Sequence, residues 1–183
     1  MKLVRRIAIG YILAAAVLAS GACSSGHRAV VIGCKEEPGK RIALTRHYRF
    51  TLLVGKMENM YMPRQVRANH LKHGEMMVRG TMSMGAAMTG GPIRHLEVQI
   101  CTGERQAVVT TARPRIVVDD TTKHRALTLP VSVMEGIGEG IADLHYGNNV
   151  AMPARDRFIV TVTWKHERAT FHLVLSPTRH RQH

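Results

Sequence analysis

From Ile42 onward, apolar and polar residues alternate in short runs separated by turn residues. Ile42, Leu44, Tyr48, Phe50, Leu52 and Val54 alternate with Thr45, His47, Arg49 and Thr51, a period of two that predicts a half-buried strand. Leu96, Val98 and Ile100 alternate with His95, Glu97 and Gln99. Ile116-Val117-Val118 is a short β-branched run that ends at the turn signal Asp119-Asp120. Leu127, Leu129 and Val131 alternate again. Phe158, Val160, Val162 and Trp164 alternate with Ile159, Thr161 and Thr163; a turn-like Lys165-His166-Glu167-Arg168 and a second run, Thr170 to Leu175, complete a hairpin. Only Pro63 to Met76 carries a helical pattern. The glycine-rich stretches Gly85 to Gly91 and Gly136 to Gly140 read as loops. The second is no phosphate cradle, because no Lys-Ser/Thr follows it and no strand-to-helix context surrounds it. Short strands with turns between them predict an all-β fold, an antiparallel β-sandwich, over residues 41–176.

The chain opens differently. Lys2, Arg5 and Arg6 form a basic region, Ile7 to Leu18 is apolar apart from Gly10 and Tyr11, and the small residues Ala19-Ser20-Gly21-Ala22 precede Cys23. This is the layout of a cleaved secretory signal peptide over residues 1–22, too short in its apolar part for a comfortable membrane span. Cys23 after small residues fits a bacterial lipoprotein cut, with lipidation of Cys23; Ala22 fits an ordinary signal-peptidase cut. Residues 23–40 read as an N-terminal linker and 177–183 as a disordered tail. Export to an oxidising compartment makes Cys34 and Cys101 a disulfide pair, with thiolate metal ligation as the alternative.

The formal net charge is +13, from 26 Lys+Arg against 13 Asp+Glu. A field of that sign favours anionic partners such as lipid headgroups or wall polymers. Nucleic acid is set aside, because the protein is exported and no Arg/Lys run is interleaved with aromatics. Eight of the 11 methionines fall in Met57–Met88, in a chain only 4% aromatic. Thioether and imidazole suit soft or borderline metals such as copper, while methionine is also a filler of irregular cores. Met82 and Met84 share a face at strand spacing, and His70 and His73 share one at helical spacing. Together they make a candidate second metal patch, with soft packing and exposed histidines as the plain alternative.

Period two puts His95 and Glu97 on one face of their strand, opposite Leu96, Val98 and Ile100. Imidazole nitrogen plus carboxylate oxygen is half of a metal site. His95-Leu96-Glu97, then His145-Tyr146-Gly147-Asn148-Asn149-Val150-Ala151-Met152, then Val160-Thr161-Val162-Thr163 follow in that order. In these motifs the chain resembles, from Met88 to Leu175, the periplasmic iron-uptake accessory proteins of bacteria. The resemblance implies an immunoglobulin- or cupredoxin-like sandwich with a copper site. It implies that His95, His145 and Met134 hold the metal beside Glu97, with a further histidine from the last third. His166 is the candidate for that position and His172 the reserve, since the family's His-rich turn is replaced here by Lys165-His166-Glu167. It further implies an inner-membrane iron permease as partner, and a homodimer. Tyr146 and Asn149 are expected to support the loop and orient the ligands.

The expected function is therefore that of a non-enzymatic, exported metal-binding protein serving metal uptake or homeostasis in the cell envelope. The metal is copper, with iron or zinc as alternatives. The rival reading is a basic envelope lipoprotein that binds membrane or wall polymers. Catalysis finds little support: there is no GxSxG and no cysteine in a nucleophile context.

Overall fold

The computed structural model describes residues 33–34, 38–71, 76–82, 91–103 and 106–176. The expected signal peptide, Cys23, His73, Met84 and the tail 177–183 lie outside the described residues. No described helix is long and apolar enough to cross a membrane.

The fold is an all-β sandwich of two sheets. Its strands are β1 (Arg41–Leu44), β2 (Tyr48–Val54), β3 (Met60–Tyr61), β4 (Met76–Val78), β5 (Ile93–Thr102), β6 (Arg115–Asp120), β7 (Arg125–Thr128), β8 (Ser132–Gly136), β9 (His145–Ala151), β10 (Arg157–Trp164) and β11 (Glu167–Val174). One sheet has seven strands in the order β1-β2-β5-β9-β8-β4-β3, and the other has four in the order β11-β10-β6-β7. Pairing is antiparallel except between β3 and β4. Among the described residues there is one α-helix, α1, which covers only Pro63–Ala68 of the predicted helical stretch.

The alternation dictates the core. Phe50, Leu52, Leu96, Val98, Ile100, Tyr146 and Val150 of the larger sheet meet Ile116, Val118, Phe158, Val160, Val162, Phe171 and Leu173 of the smaller. The predicted hairpin forms as read, with Arg157 opposite Val174 and Trp164 opposite Glu167.

The run Ile42–Val54 is not one strand. It folds back at Thr45–His47, where the Thr45 amide and hydroxyl both bond the Tyr48 carbonyl, and β1 pairs with β2 from Arg41↔Leu52 to Leu44↔Arg49. The reversal puts Ile42 and Leu44 beside Thr51 and Arg49 rather than with Phe50, and leaves them 54% and 75% exposed. Period two survives a tight turn, so the pattern alone could not reveal the break.

Cys34 and Cys101 form a disulfide, with Cα atoms 6.2 Å apart. It fastens the N-terminal segment to β5, and a Gly33↔Ala107 bridge and a Cys34 amide to Gln106 carbonyl bond reinforce the attachment.

Candidate metal centre

The site lies on the face of the seven-stranded sheet that points away from the core. On β5, His95, Glu97 and Gln99 share this face, and all three are buried. On β9 the matching positions are His145, Gly147 and Asn149. The register sets His95 opposite Asn149 and Glu97 opposite Gly147. On β8, Met134 stands directly opposite His145. Positions on three strands, β5, β8 and β9, thus converge on one patch.

Gly147 makes this convergence feasible. A Cβ there would sit 1.8 Å from the Leu96 carbonyl oxygen, so β9 and β5 approach as closely as they do only because position 147 has no side chain. Gly136 serves the neighbouring segment in the same way. Its amide donates to Asp143 Oδ2 at 2.8 Å, and a Cβ would lie at that same distance from the carboxylate.

The two imidazoles meet edge to edge with their planes 84° apart and Nε2 to Nε2 at 3.5 Å. Their other nitrogens fix the tautomers. His145 Nδ1 lies 2.7 Å from the Asp143 backbone carbonyl, which only accepts, so Nδ1 is the donor. His95 Nδ1 lies 3.0 Å from Asn149 Oδ1. The orientation of that amide is set by Glu58, whose carbonyl accepts from Asn149 Nδ2 at 2.8 Å and whose amide faces Oδ1 at 3.4 Å. His95 Nδ1 is therefore also a donor. Both Nε2 atoms then direct their lone pairs into the same gap, an arrangement that a cation between them turns from repulsive to attractive. A proton is a poor candidate there. Burial, followed by the neighbouring His145, lowers the His95 pKa to about 4, against the opposing pull of the Asn149 bond and Glu97.

A single ion does fit. Two imidazole nitrogens bound to one metal at about 2.0–2.1 Å can be no more than about 4.2 Å apart, and the observed separation lies inside that reach. Met134 is fully buried, yet it does not belong to the cluster that fills the space between the sheets. Its thioether side chain is therefore on the imidazole side, where a third soft donor is wanted. Met152, by contrast, is inter-sheet core. Met76 shares the Met134 face through the Val78↔Met134 and Met76↔Gly136 pairs, and Met60 pairs with Met76 at the sheet edge.

The carboxylates are grouped around His145. Ligand atoms of Glu97, Asp143 and His145 all lie within 4.8 Å of one another, and Glu97 Oε1 is 3.8 Å from His145 Nδ1. Glu97 thus stands on the protonated side of the His145 ring, where a carboxylate raises the basicity of the opposite nitrogen. Lys40 Nζ is 4.0 Å from that same Glu97 oxygen, and both side chains are buried.

The register therefore brings His95, Glu97, Met134, His145 and Asn149 to one face of the sheet. Two expectations fail. His166 lies in the exposed β10–β11 turn, next to Glu167, whose carboxylate holds Thr45 and, at 2.5 Å, His47. That turn sits at the Thr102 end of β5, because Tyr48 pairs with Thr102. His95 is seven residues away along the strand, about 24 Å at roughly 3.4 Å per residue. His172, the reserve, is exposed on the four-stranded sheet. Tyr146 orients no ligand: its parity turns it into the core, where its hydroxyl donates to the Val109 carbonyl and accepts the Ala112 amide at 3.0 Å. Of the proposed second patch, His70 is exposed just after α1 and Met82 is half-buried beyond β4. Among the described residues the one cluster of His, Cys, Asp and Glu ligand atoms is that of Glu97, Asp143 and His145.

Asp143 and Lys40 were not anticipated. Asp143 could have been found from its spacing, two residues before His145. Lys40 carries no such signal, since 57 residues separate it from Glu97.

No family model matches the chain, and no curated protein matches it. Among solved structures it is similar to the crystal structure of a DUF4426 family protein from Pseudomonas aeruginosa PAO1, at 14% identity and a TM-score of 0.46, covering 77% of this chain and 98% of that one.

Proposed function

We propose that this chain is an exported, non-enzymatic metal-binding protein that carries copper in the cell envelope. His95, His145 and Met134 supply the donors, and Glu97 acts beside them. The observation that carries this reading is the pair of buried imidazoles whose Nε2 atoms face each other at 3.5 Å, each with Nδ1 already donating to an oxygen. Two nitrogens and a thioether are a donor set for Cu(I) or Cu(II); iron and zinc would also accept the imidazoles, less tightly than Cu(II) on the usual order of affinities. The burial of the set suits a carrier that shields its ion. The Cys34–Cys101 disulfide supports an oxidising compartment and so an exported protein, attached at Cys23 if that residue is lipidated. The implied partner is an inner-membrane iron permease, with a homodimer as the assembled form.

Competitive titration of His145→Ala against a chromophoric Cu(I) chelator tests this reading. Loss of the tight equivalent by more than about a hundredfold is expected, beyond what removal of an outer partner costs. The far-UV circular dichroism should remain that of a β protein. Unchanged stoichiometry and affinity would overturn the assignment.

A further inference from the structure

We propose that Lys40 sets the valence preference of this centre, favouring a monovalent ion over divalent ones. The inference rests on the metal-binding reading above and deepens it.

The donors nearest the ion are neutral: two imidazoles, each with its Nδ1 proton committed to an oxygen, and a thioether. Glu97 and Asp143 would each add a negative charge beside His145, and Glu97 is the one that Lys40 faces. In an envelope protein rich in cations, a bare buried carboxylate next to two histidines would draw divalent ions. Lys40 changes that balance. Its ammonium lies 4.0 Å from Glu97 Oε1, and the two side chains are only 5% and 10% exposed. Water cannot screen a pair so enclosed as it screens surface pairs. The position is also built into the fold. Lys40 immediately precedes β1, and Cys34, six residues before it, is fixed to β5 by the disulfide.

The consequence scales with ionic charge. The path from Lys40 Nζ through Glu97 and the His145 ring to an ion on Nε2 is about 12 Å at most, given the 4.0 Å and 3.8 Å contacts along it and a metal–nitrogen bond of about 2 Å. One unit charge at that distance, at an effective dielectric of about 20, opposes a monovalent ion by roughly tenfold in affinity and a divalent ion by roughly a hundredfold. Lys40 therefore costs Cu(I) little and a divalent ion much.

The test is to compare wild type, Lys40→Met and Lys40→Met/Glu97→Gln for Cu(I) and Zn(II) binding by chelator competition. Lys40→Met should gain on the order of tenfold for Cu(I) and a hundredfold for Zn(II), which narrows the Cu(I) preference by about tenfold. The double variant removes both charges and should return the preference to near the wild-type value. If Lys40→Met shifts both ions equally or neither, or if the double variant keeps the single variant's preference, the inference is overturned while the metal site stands. If wild type binds neither ion stoichiometrically, the underlying metal-binding reading falls as well.

Discussion

The outer faces of the two sheets have the same sequence pattern and opposite fates. On β11 the outward positions Arg168, Thr170, His172 and Val174 alternate with buried Ala169, Phe171 and Leu173, and all four are exposed. On β5 the outward positions His95, Glu97 and Gln99 alternate with core residues just as regularly, yet they are 2%, 8% and 2% exposed. The difference lies in what covers them. Gln99 Nε2 donates to the carbonyls of Ala142 and Leu144, at the 3-10 helix Gly140–Asp143. The Glu58 backbone holds Asn149, and Lys40 reaches Glu97. Among the described residues nothing comparable lies over β11, whose outward positions are exposed. Burying polar groups is costly unless each is satisfied. On this face the imidazoles and the Asn149 amide are bonded while Gln99 Oε1 has no partner, and a polar face enclosed at that cost is where function is to be sought.

The largest blow to this contrast should come from Gly147→Ala. The new methyl would collide with the Leu96 carbonyl, which is backbone and cannot rotate away. We expect a loss of about 4 kcal/mol or more in urea unfolding, together with loss of copper binding. At Gly55, where an added Cβ meets nothing within 4 Å, the same substitution should be close to neutral. Similar stabilities for the two variants would show that β5 and β9 need not approach so closely.

Acid should reach the enclosed face next. The His95 pKa is about 4 folded against 6.5 in the open chain, so between those values the unfolded protein holds more protons. The contribution of neutral His95 is complete above pH 6.5 and is lost as the pH falls toward 4. Metal-free protein should lose up to about 1.4 kcal/mol per pH unit there, about 3 kcal/mol in all. His95→Gln should flatten that part of the stability profile. An equal acid slope in the variant would mean that His95 is not held neutral by burial.

The smallest effect is expected on the open face. His172→Ala should change stability by less than about 0.5 kcal/mol and leave copper titrations unaltered. A measurable loss of copper affinity would bring the four-stranded sheet back into the site.

Much of this was legible in the residues. The alternation around Leu96 and Phe158 named the core faces correctly, because a strand has only two sides and one must be apolar. His95 and Glu97 were placed on a common face by parity alone, and Met134, His145 and Asn149 were reached through the resemblance of the motifs. The continuous strand that the pattern predicts from Ile42 to Val54 does not form, because the apolar positions keep their even spacing through the turn while the reversal sends those of β1 and β2 to opposite faces. Tyr146 was misplaced for the opposite reason: it is adjacent to His145 in sequence, and adjacency on a strand means opposite faces. His166 was chosen by residue type, and type says nothing about which end of a sheet a hairpin reaches.

What the sequence determined by itself was therefore local: which residues alternate, which share a face, and which donor types are available. The tertiary structure decided which of two polar faces would be covered, that His95 and His145 would meet Nε2 to Nε2, and that Lys40 would stand beside a glutamate 57 positions away. Those outcomes depend on strand order, on register and on the near contact that Gly147 permits. They are set by packing the whole chain at once, and no window of neighbouring residues contains them.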